Sequence, residues 1–271
     1  MNHNSKVVII TGASSGIGEA IAREYARIGY NLVIGARSLA KLSQLKAELE
    51  LSGIKVLAVA TDVTVESDCQ NLVTRAVEEF GGIDILINNA GISMRALFSE
   101  VNLQVIKELM DVNFWGTVYC TYYALPWLIK RSGSLVGVIS IAGYVGLPGR
   151  AGYSASKFAV RGFLDTLRIE NLKNGLHVLV VAPGFTASNI RISARTADGS
   201  VQGDSPRDEK GMMRAETVAQ AVVKAVERRK SSLILTFVEG KLTVFLSKFF
   251  PRWLDRLTYN HMAKESNSPF K

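Results

Sequence analysis

Short runs of aliphatic and β-branched residues recur along the chain, each followed by a longer stretch whose apolar positions return every three or four residues. The runs Lys6 to Ile10, Asn31 to Ala36, Lys55 to Ala60, Ile83 to Asn88, Ser134 to Ser140, His177 to Ala182 and Leu233 to Thr236 predict strands. Helical periodicity covers Gly16 to Ile28, Leu39 to Leu51, Glu66 to Phe80, Val101 to Arg131, Tyr153 to Lys173 and Ala215 to Arg229. Such alternation predicts an α/β fold: one doubly wound parallel sheet of seven strands with helices on both faces. Ligands of these sheets bind beyond the carboxyl ends of the strands, so the residues that follow each strand carry the functional argument.

The chain has 271 residues, 48% of them hydrophobic, and shows no tandem repeat, low-complexity tract or linker. One domain is expected over residues 1–240, followed by a basic amphipathic extension over 241–271. The polar start, Met1 to Lys6, runs directly into Val7-Val8-Ile9-Ile10, which leaves no room for a secretory leader. No stretch reaches the roughly 18 apolar residues of a membrane span. Leu233 to Phe250 comes nearest and is interrupted by Glu239, Lys241 and Lys248. Cys69 and Cys120 lie in helical patterns without His or carboxylates at metal-ligand spacing, and so read as buried free thiols with no metal site. These points favour a reducing cytoplasm.

The first strand runs into Thr11-Gly12-Ala13-Ser14-Ser15-Gly16-Ile17-Gly18. Gly12 suits a tight exit turn, Gly16 admits backbone close to a pyrophosphate, and Gly18 lets the next helix pack on the sheet. The amino end of that helix offers N–H groups to the anion. After the second strand, where an NAD site carries an acid for the ribose hydroxyls, the chain has Arg37-Ser38. A guanidinium there pairs with a 2'-phosphate, which favours NADP(H). Asp62-Val63 follows the third strand and serves either the adenine edge or a helix cap. Asn88-Asn89-Ala90-Gly91 follows the fourth and either floors the nucleoside pocket or makes a plain turn.

Tyr153 and Lys157 stand four apart at the start of a helix, on one face. A free phenol has a pKa of about 10. Lowering it by two or three units takes about 3 to 4 kcal/mol, which one close cation in a partly desolvated site supplies.

The order and spacing of these motifs, with Asn113 in Asp111-Val112-Asn113-Phe114-Trp115-Gly116, Ser140 thirteen residues before Tyr153, and Pro183-Gly184, resemble a classical short-chain dehydrogenase/reductase over residues 6–236. The resemblance implies a Rossmann-type fold, a nicotinamide cofactor and hydride exchange between an alcohol and a ketone. Tyr153 is then the general acid for reduction, Lys157 lowers its pKa and bonds the nicotinamide ribose, and Ser140 donates to the substrate oxygen. Asn113 holds a water that links Lys157 to solvent, and Thr186 bonds the nicotinamide carboxamide. Residue chemistry alone leaves Asn113 as a backbone-satisfying amide, Ser140 as a turn residue and Thr186 as a helix cap. The resemblance also implies a dimer or tetramer built on the helices of Val101 to Arg131 and Tyr153 to Lys173.

Thr186 to Gly211 reads as a loop over the site, mobile until ligand binds. Met94, Ile141, Tyr144, Leu147, Phe185, Ile190 and Met212 are candidate pocket walls and favour an apolar ketone: steroid-like, acyl-chain-bearing or aromatic. Arg191 and Arg195 read as a solvated lid face or as partners of an acidic substrate. Residues 207–271 carry six of the eight net positive charges, and Lys241 to Leu257 interleaves Phe, Trp and Leu with Lys and Arg. That pattern serves subunit packing or, as the second choice, a membrane surface. No continuous basic track suits nucleic acid. A non-catalytic NADP-binding regulatory or scaffold protein is the alternative function, disfavoured by intact Ser140, Tyr153 and Lys157.

Overall fold

The structure, a computed structural model, describes residues 6–187, 189–205, 211–264, Ser268 and Phe270. The rest of the predicted lid, Ser188 and 206–210, and parts of the carboxy-terminal extension lie outside the described residues. Seven strands form one sheet: β1 (Val7–Thr11), β2 (Asn31–Ala36), β3 (Val56–Ala60), β4 (Ile85–Asn88), β5 (Ser134–Val138), β6 (His177–Ala182) and β7 (Ser232–Ile234). Their spatial order is β3-β2-β1-β4-β5-β6-β7, and every pair is parallel. The chain winds outward from β1 to one edge, returns to β4, and winds to the other edge. The carboxyl ends of β1 and β4 therefore flank the crevice where the winding reverses, and this is where a ligand fits.

Each central strand is buried on both faces because side chains alternate across the pleat. Val8 and Ile10 of β1 enter a layer formed with Ile21 and Tyr25 of α1 (Gly16–Arg27), Leu42 and Leu45 of α2 (Leu39–Glu50), and Val218 and Val222 of α7 (Ala215–Glu227). Val7 and Ile9 face the opposite layer, with Cys69 and Leu72 of α3 (Glu66–Phe80), Cys120 and Leu128 of α5 (Gly116–Lys130), and Leu164 of α6 (Ala151–Glu170). Both cysteines are buried free thiols.

The periodic stretch Val101 to Arg131 is not one helix. It divides into α4 (Leu103–Met110), a π-helical turn at Asp111–Trp115 and α5. Asn113, in the middle of the turn, is buried, and its side chain bonds backbone outside the helix, which accounts for the irregularity. Two strand ends also differ from expectation. β5 stops at Val138, so Ser140 lies beyond the strand and caps a short 3-10 turn, Ile141–Gly143. β7 stops at Ile234, and Thr236 takes a positive φ of 68° as the chain turns away.

Candidate active site

The loop after β1 has the geometry that its glycines imply. Gly12 and Gly16 adopt φ of 66° and 57°. A Cβ on Gly18 would overlap the carbonyl oxygen of Gly12 and stand 2.5 Å from Asn89 Nδ2. Asn89 Nδ2 donates to the carbonyls of Thr11 (3.0 Å) and Gly12 (3.3 Å), and the Asn89 and Ala90 amides donate to Thr11 Oγ1. Asn89 thus ties the end of β4 to the glycine loop. The Ser15 side chain makes no capping bond at the start of α1, so it does not compete for the first-turn N–H groups. Loop, helix end and close backbone approach fit a dinucleotide pyrophosphate.

At the end of β2, Arg37 is exposed and Ser38 caps α2, accepting from the Lys41 amide at 3.4 Å. Asp62 is not the helix cap. Its Oδ1 accepts from the Thr64 amide (3.0 Å) and hydroxyl (2.8 Å), closing a local turn, while Val65 occupies the cap position of α3. Val63 is buried beneath Gly116.

Tyr153 and Lys157 occupy the first turns of α6, and both are buried. Lys157 Nζ donates to the Val138 carbonyl at 3.1 Å and lies 5.9 Å from the centre of the Tyr153 ring. Asn113 Oδ1 accepts from the Ile92 amide (2.8 Å), and its Nδ2 donates to the Ile92 carbonyl (3.0 Å) and to Ser156 Oγ (2.8 Å). Ser156 Oγ in turn donates to the Tyr153 carbonyl at 2.8 Å. A Cβ on Gly91 would stand 3.0 Å from Asn113 Oδ1 and 3.3 Å from Lys157 Nζ. Two residues that are distant in sequence are thereby held against the base of α6.

Burial holds the Tyr153 phenol above its ordinary pKa, against the opposing pull of a hydrogen bond with Ser140 and the cations of Arg150 and Arg191. Desolvation is the larger effect on the phenol here, and Arg150 and Arg191 are the cations that oppose it. Lys157 itself is pushed down to about 8 by burial.

Among the described residues, the cleft beside Tyr153 is lined by Ser140, Lys157 and Gly184, and by Leu147, Phe185 and Ile190 of the predicted wall. The other four wall candidates sit elsewhere. Met94 and Ile141 are core residues, Met94 packing with Leu109, Ala142 and Tyr153 beneath the site. The Tyr144 ring faces the Arg161 guanidinium at 3.9 Å, and its hydroxyl reaches Ser232. Met212 sits one residue before Met213 pairs its backbone with Phe185 and Ala187.

Two polar lining residues escaped the sequence reading, Ser93 and Arg150, as did Val138 and Ile139, whereas Arg191 was read as a solvated lid residue or a partner of an acidic substrate. Arg150 is buried and donates to the Met94 carbonyl at 2.8 Å and to Ser93 Oγ at 3.3 Å. Its place one turn ahead of Tyr153 was the available signal. Arg191 is also buried and donates to the Thr186 carbonyl at 2.8 Å. Arg195 pairs with Glu108 of α4. The described lid residues are anchored to the body: the Arg195 amide donates to the Ser93 carbonyl, and the Arg95 amide to the Arg195 carbonyl, each at 2.8 Å. Thr186 is buried, its hydroxyl donating to the Gly184 carbonyl at 3.2 Å.

Residues 6–199 match the family model described as short chain dehydrogenase. The chain belongs to that family. Among its relatives, a mouse (Mus musculus) dehydrogenase/reductase SDR family member 7B is 34% identical, over 97% of this chain and 83% of its own length. An 11-beta-hydroxysteroid dehydrogenase of Pinus massoniana is 40% identical over 72% of this chain and 56% of its own length. Two solved structures share the architecture of this short-chain dehydrogenase. An alcohol dehydrogenase from the archaeon Thermococcus sibiricus, complexed with 5-hydroxy-NADP, superposes with a TM-score of 0.75 at 29% identity, covering 84% of this chain and 94% of that one. A short-chain dehydrogenase/reductase from Burkholderia phymatum, in complex with NAD, gives 0.76 at 25% identity, covering 86% and 89%. Family membership makes the protein an oxidoreductase of the dehydrogenase/reductase type that uses a nicotinamide cofactor.

Proposed function

We propose that the protein reduces a ketone to a secondary alcohol with NADPH. The observation that carries this reading is the convergence, in one buried cleft, of Tyr153, Ser140 and Lys157 beside a glycine loop that fits a pyrophosphate. When bound, the nicotinamide supplies the hydride. The protein supplies proton and polarity. Ser140 and the Tyr153 hydroxyl hold the carbonyl oxygen from two sides and stabilise the negative charge that develops there. Tyr153, kept protonated by its raised pKa, delivers its proton to that oxygen. Arg150 and Arg191 favour the phenolate that remains. Lys157 and Asn113 hold the base of α6 in register, and Lys157 would bond the nicotinamide ribose of the bound cofactor. Arg37, exposed after β2, pairs with the 2'-phosphate.

Leu147, Phe185 and Ile190 support an apolar body for the substrate. A second reading, a ketone that also carries an acidic group, is favoured by Arg150 and Arg191 in the same lining, where no described residue is a carboxylate. A homo-oligomer built on α5 and α6 is supported by their exposed Trp115 (just before α5), Tyr122, Phe158 and Ile169.

NADPH oxidation should be followed over steroid, long-chain, aromatic and acidic ketones. Tyr153→Phe is expected to lose about 10²- to 10⁴-fold in turnover while still binding NADPH. Undiminished turnover in that variant would remove Tyr153 from the mechanism. Arg37→Asp should reverse the cofactor preference, read as the ratio of kcat/KM with NADPH and NADH, by about tenfold or more. An unchanged ratio would refute the NADP assignment.

A further inference from the structure

After β7 the chain makes a π-helical turn (Phe237–Leu242) and then two short helices, α8 (Thr243–Phe249) and α9 (Pro251–Ala263). The side chains of Val244, Leu254 and Met262 are buried. The aromatic residues are not. Phe245, Phe249, Phe250 and Trp253 are 52%, 63%, 56% and 55% exposed, and Leu257 is 43% exposed. The sequence pattern favoured subunit or intramolecular packing for this stripe; Val244 and Leu254 do pack inward, but among the described residues these four aromatic side chains and Leu257 stay largely uncovered. Phe245 and Phe249 pair with ring centres 4.8 Å apart, and Trp253 and Leu257 share one face of α9. Exposed Lys241, Lys248, Arg252 and Arg256 are interleaved with them, and among the described residues none of the four forms an ion pair.

We propose that this face docks on the surface of a membrane rich in anionic lipid. The rings and Leu257 enter at headgroup depth, while the four cations meet lipid phosphates. Charge decides against a second copy as the occupant. A two-fold contact would bring together two copies of a stripe, Lys241 to Leu257, that holds four cations against one carboxylate, Asp255, and such like-charge contact is costly. An anionic lipid sheet neutralises all four at once. Among the described residues no helix is long and apolar enough to cross a membrane, so the contact is peripheral. The segment also adjoins the catalytic cleft. Thr236, which precedes it, packs so closely on Gly184 that a Cβ there would stand 2.8 Å from Thr236 Oγ1, and Gly184 lines the cleft.

The test is co-sedimentation of the full chain with vesicles of phosphatidylcholine alone and of phosphatidylcholine mixed with phosphatidylglycerol. Binding to the mixed vesicles, weakening as salt is raised, is expected. Lys248→Glu with Arg252→Glu should lower that affinity by more than about tenfold. Phe249→Ser with Trp253→Ser should lower it by a similar factor, with the circular dichroism and solution turnover of wild type. Absence of sedimentation with either vesicle would overturn the proposal, as would equal binding to both vesicles with no response to charge reversal. So would a Phe249→Ser, Trp253→Ser protein that changes oligomeric state while wild type ignores vesicles, because the face would then be a subunit contact.

Discussion

The two sides of the cleft are built differently. The nucleotide side is made of backbone: three glycines within seven residues, a helix end, and an asparagine that ties two strand ends together. The substrate side is made of side chains brought from far apart. Arg150 rests on Ser93 and Met94, Arg191 on Thr186, and Arg195 on Glu108 of α4. A site made of backbone tolerates almost no added volume, whereas a site made of converging side chains tolerates the loss of single contacts. Substitutions on the two sides should therefore differ in the size and kind of their effects.

Apart from loss of the proton donor Tyr153, the largest effect is expected on the nucleotide side. Gly18→Ala places a methyl group on the Gly12 carbonyl and the Asn89 amide, so the loop must shift. NADPH affinity measured by fluorescence titration should fall at least about tenfold, and stability by about 1 to 3 kcal/mol. If both remain at wild-type values, the backbone account of this side fails.

Lys157, at the junction of the two sides, sharpens the contrast because its position opposes stability. Its folded pKa is pushed down to about 8 from an ordinary 10.5. Below about pH 8 the lysine is charged in both folded and unfolded chains, and the full burial penalty, roughly 3 kcal/mol, weighs on the fold. As pH rises through that value the folded form gives up its proton first, and the penalty is progressively relieved up to about 10.5. Lys157→Met should therefore raise the melting temperature at pH 7, less the contribution of the lost bond to Val138, and raise it less at pH 10. Turnover should fall at the same time. A variant that melts below wild type at pH 7 would show that the ammonium's contacts outweigh its desolvation.

The smallest effect belongs to the lid. Arg195→Ala removes a partly exposed ion pair but leaves the backbone bonds to Ser93 and Arg95 in place. Thermal unfolding should register a loss of less than about 1 kcal/mol. A larger loss would mean that the side chain, rather than the backbone pairing, holds this part of the lid.

This division also explains what could be read without coordinates. Gly12, Gly16 and Gly18 were legible because a positive φ or a missing Cβ is a local demand that only one residue type meets well. The strand and helix order was legible because burial on both faces of a parallel sheet leaves unbroken apolar runs. The π turn at Asn113 was not, since the hydrophobic period continues through it and the cause is a long-range bond to Ile92. Met94 and Ile141 were mistaken for pocket walls because an apolar residue near a strand end looks the same whether it faces the core or the cleft.

Sequence by itself determined the α/β class, the order of the elements, the family and the spacing of the Tyr153 and Lys157 pair. Those depend on periodicity and on short-range spacing, which the covalent chain sets directly. Tertiary structure alone decided which way a side chain faces, and with it the electrostatics of the site. Arg150 and Arg191 oppose the burial of Tyr153 only because the fold carries them into the same desolvated cleft, where charges interact strongly. In the same way, the aromatic residues of α8 and α9 were an apolar stripe in the sequence. They became an exposed surface only when the sheet and its helices had completed the core without them.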